Sequence, residues 1–106
     1  MVQNIAQAII CQAKEERAQD IYFVPKENVY ELYMRIGDER RFIRNYEFEE
    51  LAAVISHFKF TAGMNVGEKR RSQLGSCDYQ YSDKKTSLRL STVGDYRGYE
   101  SLVIRL

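Results

Sequence analysis

Gly63–Cys77, GMNVGEKRRSQLGSC, is the stretch on which the reading of this chain turns. It joins an amphipathic helical pattern on its N-terminal side to a run of strand patterns on its C-terminal side. It sets Lys69, Arg70 and Arg71 in a row and closes in Ser72–Ser76, SQLGS, which reads as a turn. A basic turn held on a rigid sheet is a natural anion-binding edge.

Upstream, Phe48, Leu51, Ala52, Ile55, Phe58 and Ala62 recur at helical spacing. Asn45 is the expected N-cap, Glu47, Glu49 and Glu50 suit the positive end of the helix dipole, and Gly63 suits its C-terminal cap. Before that helix come three strand patterns. Asp20–Pro25 is short and β-rich; Val29–Ile36 alternates, with Tyr30, Leu32, Met34 and Ile36 on one face. Glu39–Tyr46 returns after a Gly37-Asp38 turn, with Phe42 as its best core candidate. A first helix is expected over Gln3–Arg17, where Ile5, Ala6, Ile9, Ile10 and Ala13 form the stripe.

Downstream, Cys77–Tyr81 reads as a strand, Ser82–Lys85 as a hairpin loop and Thr86–Val93 as an alternating strand. Gly94–Gly98 reads as a second loop and Tyr99–Leu106 as the last strand. In Thr86–Val93, Leu88, Leu90 and Thr92 share one face, while Ser87, Arg89 and Ser91 share the other. The order is helix, three strands, helix, three strands. It predicts an α+β fold of one domain, residues 1–106, with a PAS-like antiparallel sheet and the helices packed on one face.

Bulk composition fits one folded domain. The chain is 44% hydrophobic and 29% charged over 106 residues with net charge +1. A chain of this size buries roughly 60–70% of the surface it exposes when unfolded. Residues 1–60 hold eight basic and ten acidic side chains, and residues 61–106 hold eight and five, so positive charge gathers in the second part. Cys11 and Cys77 lack metal-site spacing, and no signal peptide or membrane span fits; a reducing, cytoplasmic setting follows as the expectation. The chain stops at Ser101–Leu106, inside a strand pattern, and is expected to be a piece of a longer protein.

Several chemistries find no home in the residues. There is no GxxxxGK(S/T) phosphate loop, no GxSxG and no HExxH, and His57 stands alone. No catalytic residue and no metal site is assigned. Arginine carries the remaining signal: Arg89 on the polar face of its strand, with Arg70 and Arg71 in the preceding turn. Their planar forks suit phosphate oxygens. The competing reading pairs Arg89 with a surface acid such as Asp78. A nucleic-acid site made from Lys69–Arg71 with Tyr79 and Tyr81 as stacking platforms matches the net charge of +1 poorly, so no direct nucleic-acid contact is expected.

Four segments, in order, resemble the secretion and type IV pilus assembly ATPases. Asp20–Pro25, DIYFVP, is similar to that family's SDIHLEP strand, and Arg35–Asp38, RIGD, to its RIDG turn. Phe58–Ser76, FKFTAGMNVGEKRRSQLGS, resembles K-x-M-A-G-L-D-I-A-E-R-R-x-P-Q-D-G-R. Leu88–Leu106, with LRLST and RGYESLVIRL, resembles VRVST and HGExxVxRL. The likeness is greatest to the ATPases of the competence pseudopilus, the DNA-uptake machine of Gram-positive bacteria.

The resemblance implies an N-terminal regulatory and oligomerisation domain lying before a RecA-like motor domain. The parent would be a cytoplasmic homo-hexamer, peripheral at the inner face of the membrane, using ATP and Mg and contacting an inner-membrane pilus platform protein. This segment alone would not be an enzyme and would hold no cofactor. In the family, arginines of this domain reach the nucleotide's terminal phosphate; the strand arginine of VRVST matches Arg89. The E-R-R run matches Glu68, Lys69 and Arg70. The arginine closing the family's QDGR is Ser76 here, its aspartate is Leu74 and its proline is Ser72, which leaves Arg70 or Arg71 to substitute. The family's strand histidine and glutamate are Tyr22 and Val24. The alternative is a PAS-like small-ligand or signalling module, whose mark would be a roomy apolar pocket with convergent polar groups.

Overall fold

The computed structural model describes residues 1–106. Helix α1 spans Val2–Glu15 and β1 Asp20–Pro25. Strand β2 spans Val29–Ile36, β3 Glu39–Glu47 and helix α2 Phe48–Thr61. Strands β4, β5 and β6 span Gln73–Tyr81, Lys84–Gly94 and Glu100–Arg105. The six strands form one sheet in the order β3-β2-β1-β6-β5-β4, antiparallel at every pairing. Two three-stranded meanders are thus joined edge to edge where β1 pairs with β6.

Alternation along each strand decides which face is covered. Ile21 and Phe23, Leu32 and Met34, Leu88 and Leu90, and Leu102 and Ile104 are all buried on one face. The helices bury their stripes on that face: Ala6, Ile9, Ile10 and Ala13 from α1, and Leu51, Val54, Ile55 and Phe58 from α2. Each large aliphatic or aromatic side chain fully removed from water contributes roughly 1.5–3 kcal/mol before its entropy cost. Neither helix is long and apolar enough to cross a membrane.

Local chemistry fixes the ends of the elements. Gly63, at φ +71°, lets the chain leave α2 through paired backbone bonds: Gly63 N–H donates to Phe60 O at 3.1 Å and Met64 N–H to Lys59 O at 2.8 Å. The two tight hairpins turn at Gly37-Asp38 and Ser82-Asp83.

Three sequence expectations change. Gln73–Ser76 is not a turn: it is the start of β4, paired from Gln73↔Thr92 to Ser76↔Arg89, so the basic segment is shorter and leads directly into an edge strand. Asn45 does not cap α2; it lies in β3, and Glu47 is the capping residue, without a side-chain cap bond. Phe42 is not in the core but is 49% exposed. A bulge opposite Leu32/Tyr33 inserts Ile43, so Tyr46 and Arg44 face the helices while Phe42 is turned to the other side beside Tyr33. One extra residue inverts a period-2 pattern.

Candidate anion-binding face

The helices leave the second face of the sheet uncovered, and strand register organises the charges on it. Following partners from β4 to β3 gives one transverse row: Ser76, Arg89, Arg105, Asp20, Arg35, Arg40. At roughly 4.8 Å per strand the row runs about 24 Å. It holds four arginines against one aspartate. The next row on the same face is Leu74, Ser91, Val103, Tyr22, Tyr33 and Phe42.

The members of the arginine row differ in how fully they are engaged. Asp20 is buried at 6% exposure and is the hub. It accepts from Arg105 Nε at 3.2 Å and from the Tyr22 hydroxyl at 3.3 Å, and lies 3.6 Å from Arg35 Nε. Arg35 Nε also donates to the Tyr22 hydroxyl at 3.1 Å, which raises the guanidinium's already high pKa. Arg40 sits 4.6 Å from the ring centroids of both Tyr22 and Tyr33. Among the four arginines of the row, Arg89 alone has no ion pair, no side-chain hydrogen bond and no aromatic ring beneath it, and it is exposed. Asp78, the partner named in the competing reading, instead accepts from Ser87 Oγ at 3.0 Å.

Arg70 and Arg71 lie elsewhere. The loop between α2 and β4 runs on the helix side of the sheet end and is pinned from several directions. Lys59, fully buried on α2, donates to Glu68 O at 2.9 Å and Val66 O at 3.4 Å, and pairs with buried Glu100 at 2.7 Å. The Gln73 side chain accepts from Asn65 N–H at 2.9 Å and donates to Asn65 O and Glu68 O, both at 3.0 Å. Arg70 N–H donates to the Glu68 carboxylate at 2.9 Å; that bond, helped by Arg71 N–H, holds the carboxyl below its ordinary range. Gly94 fits against the loop so closely that a β-carbon there would lie 2.8 Å from Arg70 Cα.

The loop backbone therefore meets β5 at Gly94, five residues from Arg89, or roughly 17 Å along a strand. Lys69 lines a cleft of about 420 Å³ with Phe48, Ala52 and Tyr99, on the helix side. Structure brings Arg89 together with Arg105, which sequence reasoning passed over, rather than with Arg70 and Arg71. Arg89 and Arg105 line one depression of about 270 Å³ with Leu74, Ser91 and Val103. Only the β5–β6 register could have revealed this, and register is a long-range property.

The nucleic-acid reading loses its stacking platforms. Tyr79 and Tyr81 are 3% and 7% exposed and face the helices. Tyr79 Oη lies 2.9 Å from His57 Nε2, and burial lowers the pKa of that histidine. Both cysteines are free thiols, and burial pushes the Cys77 thiol up.

Comparison with known proteins agrees with the resemblance read from the motifs. The family model described as "Type II/IV secretion system protein" matches residues 1–106. The competence protein ComGA of Streptococcus pneumoniae is 74% identical over 106 residues, covering 100% of this chain and 34% of that protein. ComGA of Bacillus subtilis is 33% identical over 105 residues, covering 99% of this chain and 29% of that protein. The type IV pilus assembly ATPase PilB of Thermus thermophilus is 34% identical over 104 residues, 98% of this chain and 12% of that protein. The chain thus spans about a third or less of the length of these relatives.

Proposed function

The chain belongs to the type II/IV secretion system protein family, and from that premise we propose that it is the N-terminal regulatory and oligomerisation domain of a hexameric assembly ATPase. That ATPase powers competence pseudopilus assembly and DNA uptake. The segment does not hydrolyse ATP by itself. It presents arginines to the phosphates of ATP held by its RecA-like motor domain, much as an arginine finger does. Its partners in this reading are that motor, the neighbouring subunits of the hexamer and an inner-membrane pilus platform protein. Its place is cytoplasmic, peripheral at the inner face of the membrane.

The observation that carries this reading is Arg89: exposed, without a carboxylate partner, on a sheet face that the domain leaves open. A guanidinium in that position meets an anion supplied from outside. The residues fit the polyphosphate of ATP better than its metal. No three His, Cys, Asp or Glu side chains converge to hold an ion, so Mg is assigned to the motor. Arg70 and Arg71 remain in the proposal as a second basic edge, on the pinned loop at the helix side and apart from the phosphate that Arg89 meets.

Arg89→Ala in the full-length ATPase tests the reading. Arginine fingers contribute about 10³–10⁵ in kcat, and even a partial role should lower turnover by about 100-fold. Because Arg89 has no ion-pair or hydrogen-bond partner in the protein, the variant should keep its fold without loss of stability. Unchanged ATPase turnover in a folded hexamer would remove the proposed contact.

A further inference from the structure

We propose that Arg105 is the second guanidinium of the phosphate site, forming with Arg89 a two-arginine clamp for a polyphosphate oxyanion. The nucleotide identity of that oxyanion rests on the reading above; the clamp itself rests on geometry. Arg89 on β5 and Arg105 on β6 are direct cross-strand partners. Directly opposed side chains stand about 4.5–5.5 Å apart at Cβ, where like charges destabilise a sheet. The two line the same depression, with the Ser91 hydroxyl at its side and Val103 and Leu74 completing it. Two forks and a hydroxyl around a shallow bowl match the oxygens of a phosphate group.

Asp20 gives the pair its asymmetry. It takes Arg105 at Nε, at 3.2 Å, and so fixes the plane of that guanidinium while leaving the terminal nitrogens without protein acceptors. Arg89 carries no such anchor, and an anion would supply it. On the other flank of Arg89 the register places Ser76, where the sequence shows no arginine. Arg105 offers from the β6 side the second fork that Ser76 cannot offer from the β4 side. Asp20 is a positioning residue in this scheme.

The experiment titrates the chain with sodium pyrophosphate at low ionic strength and follows arginine side-chain Nε–H signals by NMR. The wild type should shift the signals of Arg89 and Arg105 together. Arg105→Ala should weaken binding at least 10-fold, as much as Arg89→Ala. Arg35→Ala removes the same charge from the same row but lies two strands further away, and should stay within about 2-fold of wild type. Equal losses for Arg35→Ala and Arg105→Ala would reduce the effect to net charge and overturn the clamp, as would wild-type binding by Arg105→Ala. A parallel arm sediments the chain with phosphatidylglycerol-rich vesicles. Retention that needs both arginines, without a pyrophosphate response, overturns a free polyphosphate in favour of a lipid headgroup.

In the full-length ATPase the clamp predicts that Arg105→Ala lowers turnover alongside Arg89→Ala. Loss with Arg89→Ala alone overturns the Arg105 assignment and leaves the wider reading standing. Pyrophosphate binding that depends on both arginines, with turnover unchanged in both variants, supports the clamp and removes the nucleotide reading.

Discussion

Lys59→Met is the sharpest perturbation this architecture allows. The Lys59 side chain is 0% exposed, and its three donors meet three acceptors: Glu100 at 2.7 Å, Glu68 O at 2.9 Å and Val66 O at 3.4 Å. Methionine nearly matches the volume but leaves the Glu100 carboxylate buried with no cation. Breaking one side of such a pair costs about 3–5 kcal/mol, against a total stability of about 5–15 kcal/mol for a domain. At about 4–8 °C per kcal/mol, Tm should fall by at least about 12 °C. Lys59→Met combined with Glu100→Met replaces the pair with packed apolar groups and should recover most of that loss. The loop should not recover with it, because the Lys59 bonds to Val66 and Glu68 are still missing. Urea unfolding measures the first effect, and trypsin cleavage after Lys69, Arg70 or Arg71 measures the second. A single variant destabilised by under about 1 kcal/mol, or a double variant worse than the single, would refute the reasoning.

Tyr30→Phe removes the hydroxyl that donates to Glu100 O at 2.6 Å in a buried setting. Orphaning that carbonyl should cost about 1–3 kcal/mol in urea unfolding, and no loss would mean another donor reaches it. Thr92 is fully buried and its hydroxyl has no partner. Thr92→Val should therefore be neutral or stabilise by about 1 kcal/mol by calorimetry, and a clear loss would reveal a hidden bond. Burial lowers the His57 pKa in the folded state, so the unfolded chain binds more protons below about pH 6.5. The His57 contribution to stability is full above that pH and is lost as pH falls through the folded value. Denaturation between pH 7.5 and about 5 should show His57→Gln flattening the acid-side slope, and an unchanged slope would exclude the histidine as its source.

Most of the fold was legible because its signals are local. Periods of 3.6 and 2 placed both helices and all six strands, and Gly37 and Gly63 marked turns where φ is positive. What failed was also local in cause but not in evidence. Phe42 was misassigned because a bulge leaves no mark in the alternation of its own strand. Gln73–Ser76 looked like a turn because Ser, Gln and Gly are turn residues, whereas pairing with β5 holds them extended. Arg89 was legible as a lone polar-face arginine. Its neighbour Arg105 was not, since 16 residues separate them and only the register joins them. Lys59 was hidden for a related reason: it is a charge on a helix, and its burial depends on Glu100, 41 residues away.

The two faces of the sheet obey different rules, and the contrast bears on function. On the helix side each charge that is buried is matched, with Lys59 saturated and Glu100 paired. On the open side, Arg89 and Arg105 oppose one another with a single nearby carboxylate already shared with Arg35. Nothing in stability favours that arrangement, because repulsion between opposed cations costs free energy that Asp20 offsets only at one end. A bound oxyanion would reverse the sign of the local energy. The isolated chain should therefore gain stability from pyrophosphate as RT ln(1 + [L]/Kd), about 2.7 kcal/mol at a hundredfold excess over Kd, and at the same concentration the gain should fall to about 1.4 kcal/mol or less in Arg89→Ala. If polyphosphate leaves Tm unchanged at low salt, the opposed arginines need another explanation.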